Sequence, residues 1–173
     1  MNEASPFSDP VDPVNDPNFP PKALPGSINV LTILTFIGCG LGLILQIFGF
    51  TGAQERYNQT EELINSGKLD DAPSFMKGMV SADSLELLRK TADNRLPLLI
   101  IGLVGIGLCF YGALQMRKLS KQGFYIWLMG ELIPLIGSAI FVGVGAYAGL
   151  GLLAFAIPVI FIILYATQLK YLR

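Results

Sequence analysis

Residues 127–141 read WLMGELIPLIGSAIF, and Glu131 is the one charged side chain among them. A carboxyl group inside a membrane-spanning helix costs about 2.5–3.5 kcal/mol to insert on translocon scales, so it must be neutralised by a proton, paired or wetted. Three roles fit such a group: a step on a proton or cation pathway, a polar contact that fastens one helix to another, or a contact to a partner protein. Glu131 stands alone in this respect, because the apolar stretches hold no second acid, no histidine and no Lys or Arg. A lone carboxyl makes a poor relay and a serviceable helix-to-helix contact. Counting helical rise at about 1.5 Å per residue places it at the depth of Thr35, of Cys109 to Tyr111, and of Tyr165. Glu131, Thr35, Tyr111 and Tyr165 therefore form the candidate intramembrane polar site, since hydroxyls can bond a carboxyl group in either protonation state. The alternative is that water, Arg117 or Lys121 reaches Glu131 from the nearer helix end.

Other chemistries lack their residues. The chain has no histidine, which removes the commonest general base and metal ligand. Its two cysteines, Cys39 and Cys109, both fall in apolar runs and are expected to be small packing residues rather than a disulfide or a zinc site. The glycine-rich stretches GFTGAQ and GLVGIG lack the Lys-Ser/Thr of a phosphate loop. No serine has a histidine to activate it. The expectation is a non-enzymatic protein without catalytic residues, cofactor or metal. A net charge of −1 gives no sign of nucleic-acid binding.

The elements that must position Glu131 are set by composition. Of 173 residues, 52% are hydrophobic and 14% charged, where a soluble domain carries about 25% charged residues. Mean hydropathy is +0.55. Four apolar runs follow one another: 28–50, 96–116, 124–145 and 152–169. The first, as a helix, measures roughly 34 Å and can cross a hydrocarbon core of about 30 Å. Backbone donors in lipid must be paired within the segment, so these runs are helices. The predicted fold is all-α: a polytopic membrane protein with a four-transmembrane-helix bundle over 28–173. The short AYAGLG link between the third and fourth runs is predicted to be a tight turn.

Residues 1–27 hold seven of the eleven prolines, which stop helix and sheet from propagating, so a disordered tail is expected. Arg117, Lys118 and Lys121 in the second link, with Lys170 and Arg173 at the C-terminus, place that side in the cytoplasm. Both termini are then inside and residues 51–95 outside. That outer segment is predicted to form two helices. AQERYNQTEELINSG ends at Gly67, and SADSLELLRKTADNR offers Ser81 or Asp83 as N-cap, with Glu86 three residues after Asp83. Phe75, Met76 and Met79 between them are expected to touch lipid or the mouth of the bundle.

Small residues four apart carry a packing signal: Gly38 and Gly42; Gly105, Cys109 and Ala113; Ala139 and Gly143. They predict a compact bundle or a homo-oligomer. Pro134 and Pro158 are predicted to kink the third and fourth helices. Trp127 and Tyr125 are expected to anchor the cytoplasmic interface.

The stretches LPGSINVLTILTFIG, NRLPLLIIGLVG, MRKLSKQGFYIWLMGELIP and IPVIFIILYATQLKYL give a layout that resembles small four-span bacterial membrane proteins of uncharacterised activity. The likeness covers most of residues 24–173. It implies a bacterial inner-membrane setting and supplies no functional residues. The function expected from the whole is an accessory, scaffolding or regulatory component of a membrane complex, with the lipid bilayer and a membrane-protein partner or a second copy as its contacts. The alternative is a small channel or transporter component that uses Glu131.

Overall fold

A computed structural model describes residues 24–67, 80–147 and 151–172. Most of the proline-rich tail, the Phe75, Met76 and Met79 segment, and the centre of the AYAGLG link lie outside the described residues. Those residues form five α-helices and no strand. Helix α1 runs without interruption from Gly26 to Asn65, 40 residues, so the first apolar run and the first outer helix are one rod. It begins where Pro25, with φ −56°, offers its carbonyl to the Asn29 N–H at 3.0 Å. It ends at Gly67, whose φ of +69° is the left-handed conformation glycine supplies at helix ends.

Helix α2 (Ala82–Asp93) packs on the C-terminal half of α1. Its N-cap is Ser81, and the capping box closes with Ser84 rather than with an acid three residues on. The Ser81 N–H donates to Ser84 Oγ at 2.8 Å, and the Ser84 N–H donates to Ser81 Oγ at 3.2 Å. Glu86, predicted as a capping partner of Asp83, instead pairs with Lys90 at 2.7 Å, one turn along the helix. Helix α3 (Arg95–Arg117) follows after the single residue Asn94. Pro97 explains the break: it has no N–H for the Asp93 carbonyl. The Asn94 side chain takes up the slack by donating to the Lys90 carbonyl at 2.9 Å and to the Phe141 carbonyl at 3.4 Å.

Helix α4 (Lys121–Phe141) returns antiparallel to α3 and makes the closest helix pair of the fold. Only residues 118–120 join them. The Ser120 N–H reaches back to the Gln115 carbonyl at 3.2 Å and the Leu119 N–H to the Met116 carbonyl at 2.9 Å, the bond pattern of a Schellman helix stop. Leu119 stands where such a stop favours glycine, with φ 62°. It is held there because its side chain packs against the apolar core.

The predicted third run over 124–145 overshoots. The helix stops at Phe141, Gly143 adopts φ +107°, and residues Val144–Tyr147 form a 3₁₀ turn. Helix α5 (Gly151–Gln168) closes the chain, followed by a 3₁₀ turn at Leu169–Tyr171. It is fastened mainly at its C-terminal end. There Tyr165 and Leu172 enter the core with Ile28, Leu31, Met116 and Trp127, and Ser27 Oγ donates to Gln168 Oε1 at 2.5 Å.

The polarity of this fold is inverted relative to a water-soluble bundle. Leu45, Phe48, Ile140, Val144 and Leu152 are all more than half exposed, whereas buried positions on α3 and α4 are largely glycine. Among the described residues, α1, α3 and α4 are long and apolar enough to cross a membrane. Helix α5 is apolar but shorter.

Candidate functional site

The site is built around the contact of α3 with α4. Gly123, Gly130 and Gly137 recur every seven residues on α4 and face α3. A Cβ on Gly130 would lie 2.7 Å from the Cys109 N and Sγ, and one on Gly112 would lie 2.5 Å from the Trp127 N. One on Gly123 would meet the Met116 N at 2.6 Å, and one on Gly137 the Ile101 Cγ2 at 2.9 Å. The two backbones therefore touch, as small-residue interfaces in membranes allow. Pro134 takes part directly. It leaves the Gly130 carbonyl without its usual donor, and that carbonyl lies 2.8 Å from the Cβ position of Gly105. The freed oxygen thus rests on the Gly105 backbone, the geometry of a weak Cα–H···O contact.

This packing turns Glu131, next to Gly130, into the centre of the bundle. Glu131 lines a cavity of about 260 Å³ bounded by α1, α3, α4 and α5, with Thr35, Cys39, Cys109, Pro134, Pro158 and Phe161 among its walls. The Cys109 thiol donates to Glu131 Oε1 at 3.7 Å and also approaches the Trp127 carbonyl. Thr35 and Tyr165 are both buried, yet they bond each other, hydroxyl to hydroxyl, at 2.7 Å. Two of the three predicted hydroxyl partners are thus brought near the carboxyl but bond each other rather than it. The third is a correction: Tyr111 points outward, half exposed, and its hydroxyl accepts from Gln115 Nε2 at 2.8 Å. Two residues along a helix is about 200° of rotation, so Cys109 and Tyr111 cannot share a face.

The basic residues near the helix start do not reach Glu131 either. Arg117 Nη1 donates to Thr32 Oγ1 at 3.4 Å, and Lys121 is exposed. Trp127 also departs from expectation. It is 1% exposed and tilts against Tyr165 with ring centroids 4.6 Å apart, so it is a core residue and no interfacial anchor. Gly112 makes the room for it, since a Cβ there would lie 2.6 Å from the Trp127 Cβ. Tyr125, by contrast, is 60% exposed.

The predicted packing residues divide. Gly105 and Ala113 are buried on the α3 face, and Gly42 meets Ile106 at 3.6 Å. Gly38 has open space where a Cβ would project, and Gly143 lies beyond the end of α4, so neither packs a helix face. Ala139 is half-buried. Pro134 and Pro158 both sit inside helices that continue on either side of them.

Gln46 on α1 was not singled out from the sequence. Its Nε2 donates to the Leu98 carbonyl at 2.9 Å and its amide covers Gly102. A glutamine inside an apolar run was the signal. Among the described residues no group of three or more His, Cys, Asp or Glu converges to hold a metal ion. No protein-family model, curated protein or solved structure matches this chain.

Proposed function

We propose that the chain is a non-enzymatic integral membrane protein of the bacterial inner membrane, an accessory, scaffolding or regulatory component of a larger membrane complex. In this reading α5 is a fourth span, since its 18 residues reach about 27 Å against a hydrocarbon core of about 30 Å. Both termini then face the cytoplasm and residues 51–95 the outside, as the basic link at Arg117–Lys121 favours. One observation carries the reading. The carboxyl at the centre of the bundle has a thiol for its side-chain partner, while the hydroxyls nearest to it bond each other. That arrangement suits a contact joining α3 to α4 and lacks the succession of groups a proton relay needs.

A second reading, a small channel or transporter component, draws on the cavity where Glu131, Pro134 and Pro158 meet. Proton flux into liposomes separates the two. Wild type and Glu131→Gln are both expected to leak no faster than protein-free vesicles. A wild-type flux that Glu131→Gln abolishes, with the helical fold retained, would overturn the scaffold reading in favour of transport. Copurification from mild detergent is expected to retain a stoichiometric membrane-protein partner.

A further inference from the structure

A second cavity, about 430 Å³, opens at the other end of the bundle, beneath α2. Its volume falls within the range of about 300–1,000 Å³ typical of small-molecule sites. Its deeper wall is apolar: Leu98, Ile101, Pro134, Leu135 and Val142. Polar side chains that reach this wall bond its backbone carbonyls. Gln46 Nε2 is bonded to the Leu98 carbonyl. The Tyr147 hydroxyl donates to the Leu135 carbonyl at 2.6 Å and is also in contact with Ser138 Oγ.

The rim is different. Arg56 from α1 and Arg95 from α3 both line the cavity, and among the described residues no acidic side chain does. Both arginines are exposed. Among the described residues, the two ion pairs are Arg89 with Asp93 and Lys90 with Glu86, so neither rim arginine is paired to a carboxylate. The Arg95 guanidinium sits 5.7 Å from the centre of the Phe50 ring, itself a wall of the cavity.

We infer that this cavity binds an amphiphilic anion: a single acyl chain on the apolar wall and a carboxylate or phosphate head between Arg56 and Arg95. Two guanidiniums at one rim attract an anion and repel a cation, and their planar forks match carboxylate and phosphate oxygens. An inorganic anion would leave the apolar wall unfilled. Placement agrees, because Arg95 opens the second apolar run and Arg56 stands about 9 Å beyond Phe50, the end of the first. A head at that level lies at the lipid headgroups with its chain directed into the bilayer. The inference is independent of the scaffold reading, since Pro134 is the one wall the two cavities share and no polar group around Glu131 is used.

Displacement of dansylaminoundecanoate from the full chain, purified in maltoside, tests it. Dodecanoate and dodecyl phosphate are expected to displace the probe, with dodecanol and dodecyltrimethylammonium at least about tenfold weaker. Inorganic phosphate is expected to leave the probe in place. Arg56→Ala and Arg95→Ala should each weaken dodecanoate about tenfold, the scale of one charge-assisted hydrogen bond, while Arg95→Lys retains part of the affinity. Gly49→Leu supplies a variant that acts on the tail alone. Gly49 lines the cavity, and a Cβ there meets nothing within 4 Å, so the new side chain should fill the pocket and weaken every tailed ligand with helicity unchanged. Equal displacement by dodecyltrimethylammonium, wild-type affinity in the double arginine variant, or tight binding of inorganic phosphate alone would overturn the proposal.

Discussion

Replacing Gly130 by alanine tests the α3–α4 contact most directly. The added Cβ would lie 2.7 Å from both the N and the Sγ of Cys109 and 2.8 Å from the Gly105 carbonyl oxygen. That falls about 0.8 Å short of an optimal separation of about 3.5 Å. Two of the three obstacles are backbone atoms that no rotamer change can move. The helices must part, and a radial gap of 0.5–1 Å forfeits roughly a quarter to a half of each dispersion contact along the face. Overpacking of this kind costs about 1–3 kcal/mol. Alanine returns up to about 1 kcal/mol through its helix propensity, so the net loss is about 0–2 kcal/mol. Gly107→Ala is the control, because it lies on the partner helix α3 with nothing within 4 Å of its Cβ position. It should be neutral or up to about 1 kcal/mol more stable. Unfolding by dodecyl sulfate from maltoside micelles, followed by the fluorescence of the chain's single tryptophan, measures both. Trp127 lies in the same interface, against Gly112. If Gly130→Ala and Gly107→Ala unfold at the same detergent fraction, the backbones are not in contact and the account of the bundle is wrong.

Tyr165→Phe should cost about 1 kcal/mol by stranding the buried Thr35 hydroxyl. The double variant with Thr35→Val should recover most of it, and a double-mutant cycle in the same unfolding assay with no coupling would contradict the 2.7 Å bond. Outside the membrane, the Lys90 ammonium beside Glu86 holds that carboxyl below the ordinary glutamate range. Its contribution to α2 is therefore present above about pH 4.3 and disappears as pH falls through the lowered folded value. A carbon-detected titration should find the Glu86 midpoint lower in wild type than in Lys90→Ala; coincident midpoints would remove the pair.

Much of the scaffold was legible before any coordinates. Runs of apolar residues placed three helices within a few residues of their ends, because lipid leaves the backbone no alternative to helical pairing. Gly67 and Ser81 announced their caps through residue type alone. The continuity of α1 was harder to read, since nothing in GFTGAQ breaks a helix, and a change from apolar to polar composition looks like a boundary without being one. Small residues spaced by four pointed to Gly38 and Gly143, while the seven-residue recurrence at Gly123, Gly130 and Gly137 marks the face that packs. Depth counting brought Thr35 and Tyr165 to the level of Glu131 but carried no information on azimuth. Tyr111 therefore turned outward and Cys109 took its place. Trp127 read as an anchor by type, and only the space left by Gly112 shows that it belongs inside. Arg56 and Arg95 stand 39 positions apart, and no local pattern joins them.

The unbroken α1 has a mechanical consequence. Its 40 residues amount to a strut of about 60 Å, roughly twice the hydrocarbon thickness of a bilayer. With residues 28–50 spanning a bilayer, the part beyond Phe50 would stand some 20 Å proud of the apolar slab, and a helix of that length resists bending. Whatever grasps its tip is held at a set height above the lipid.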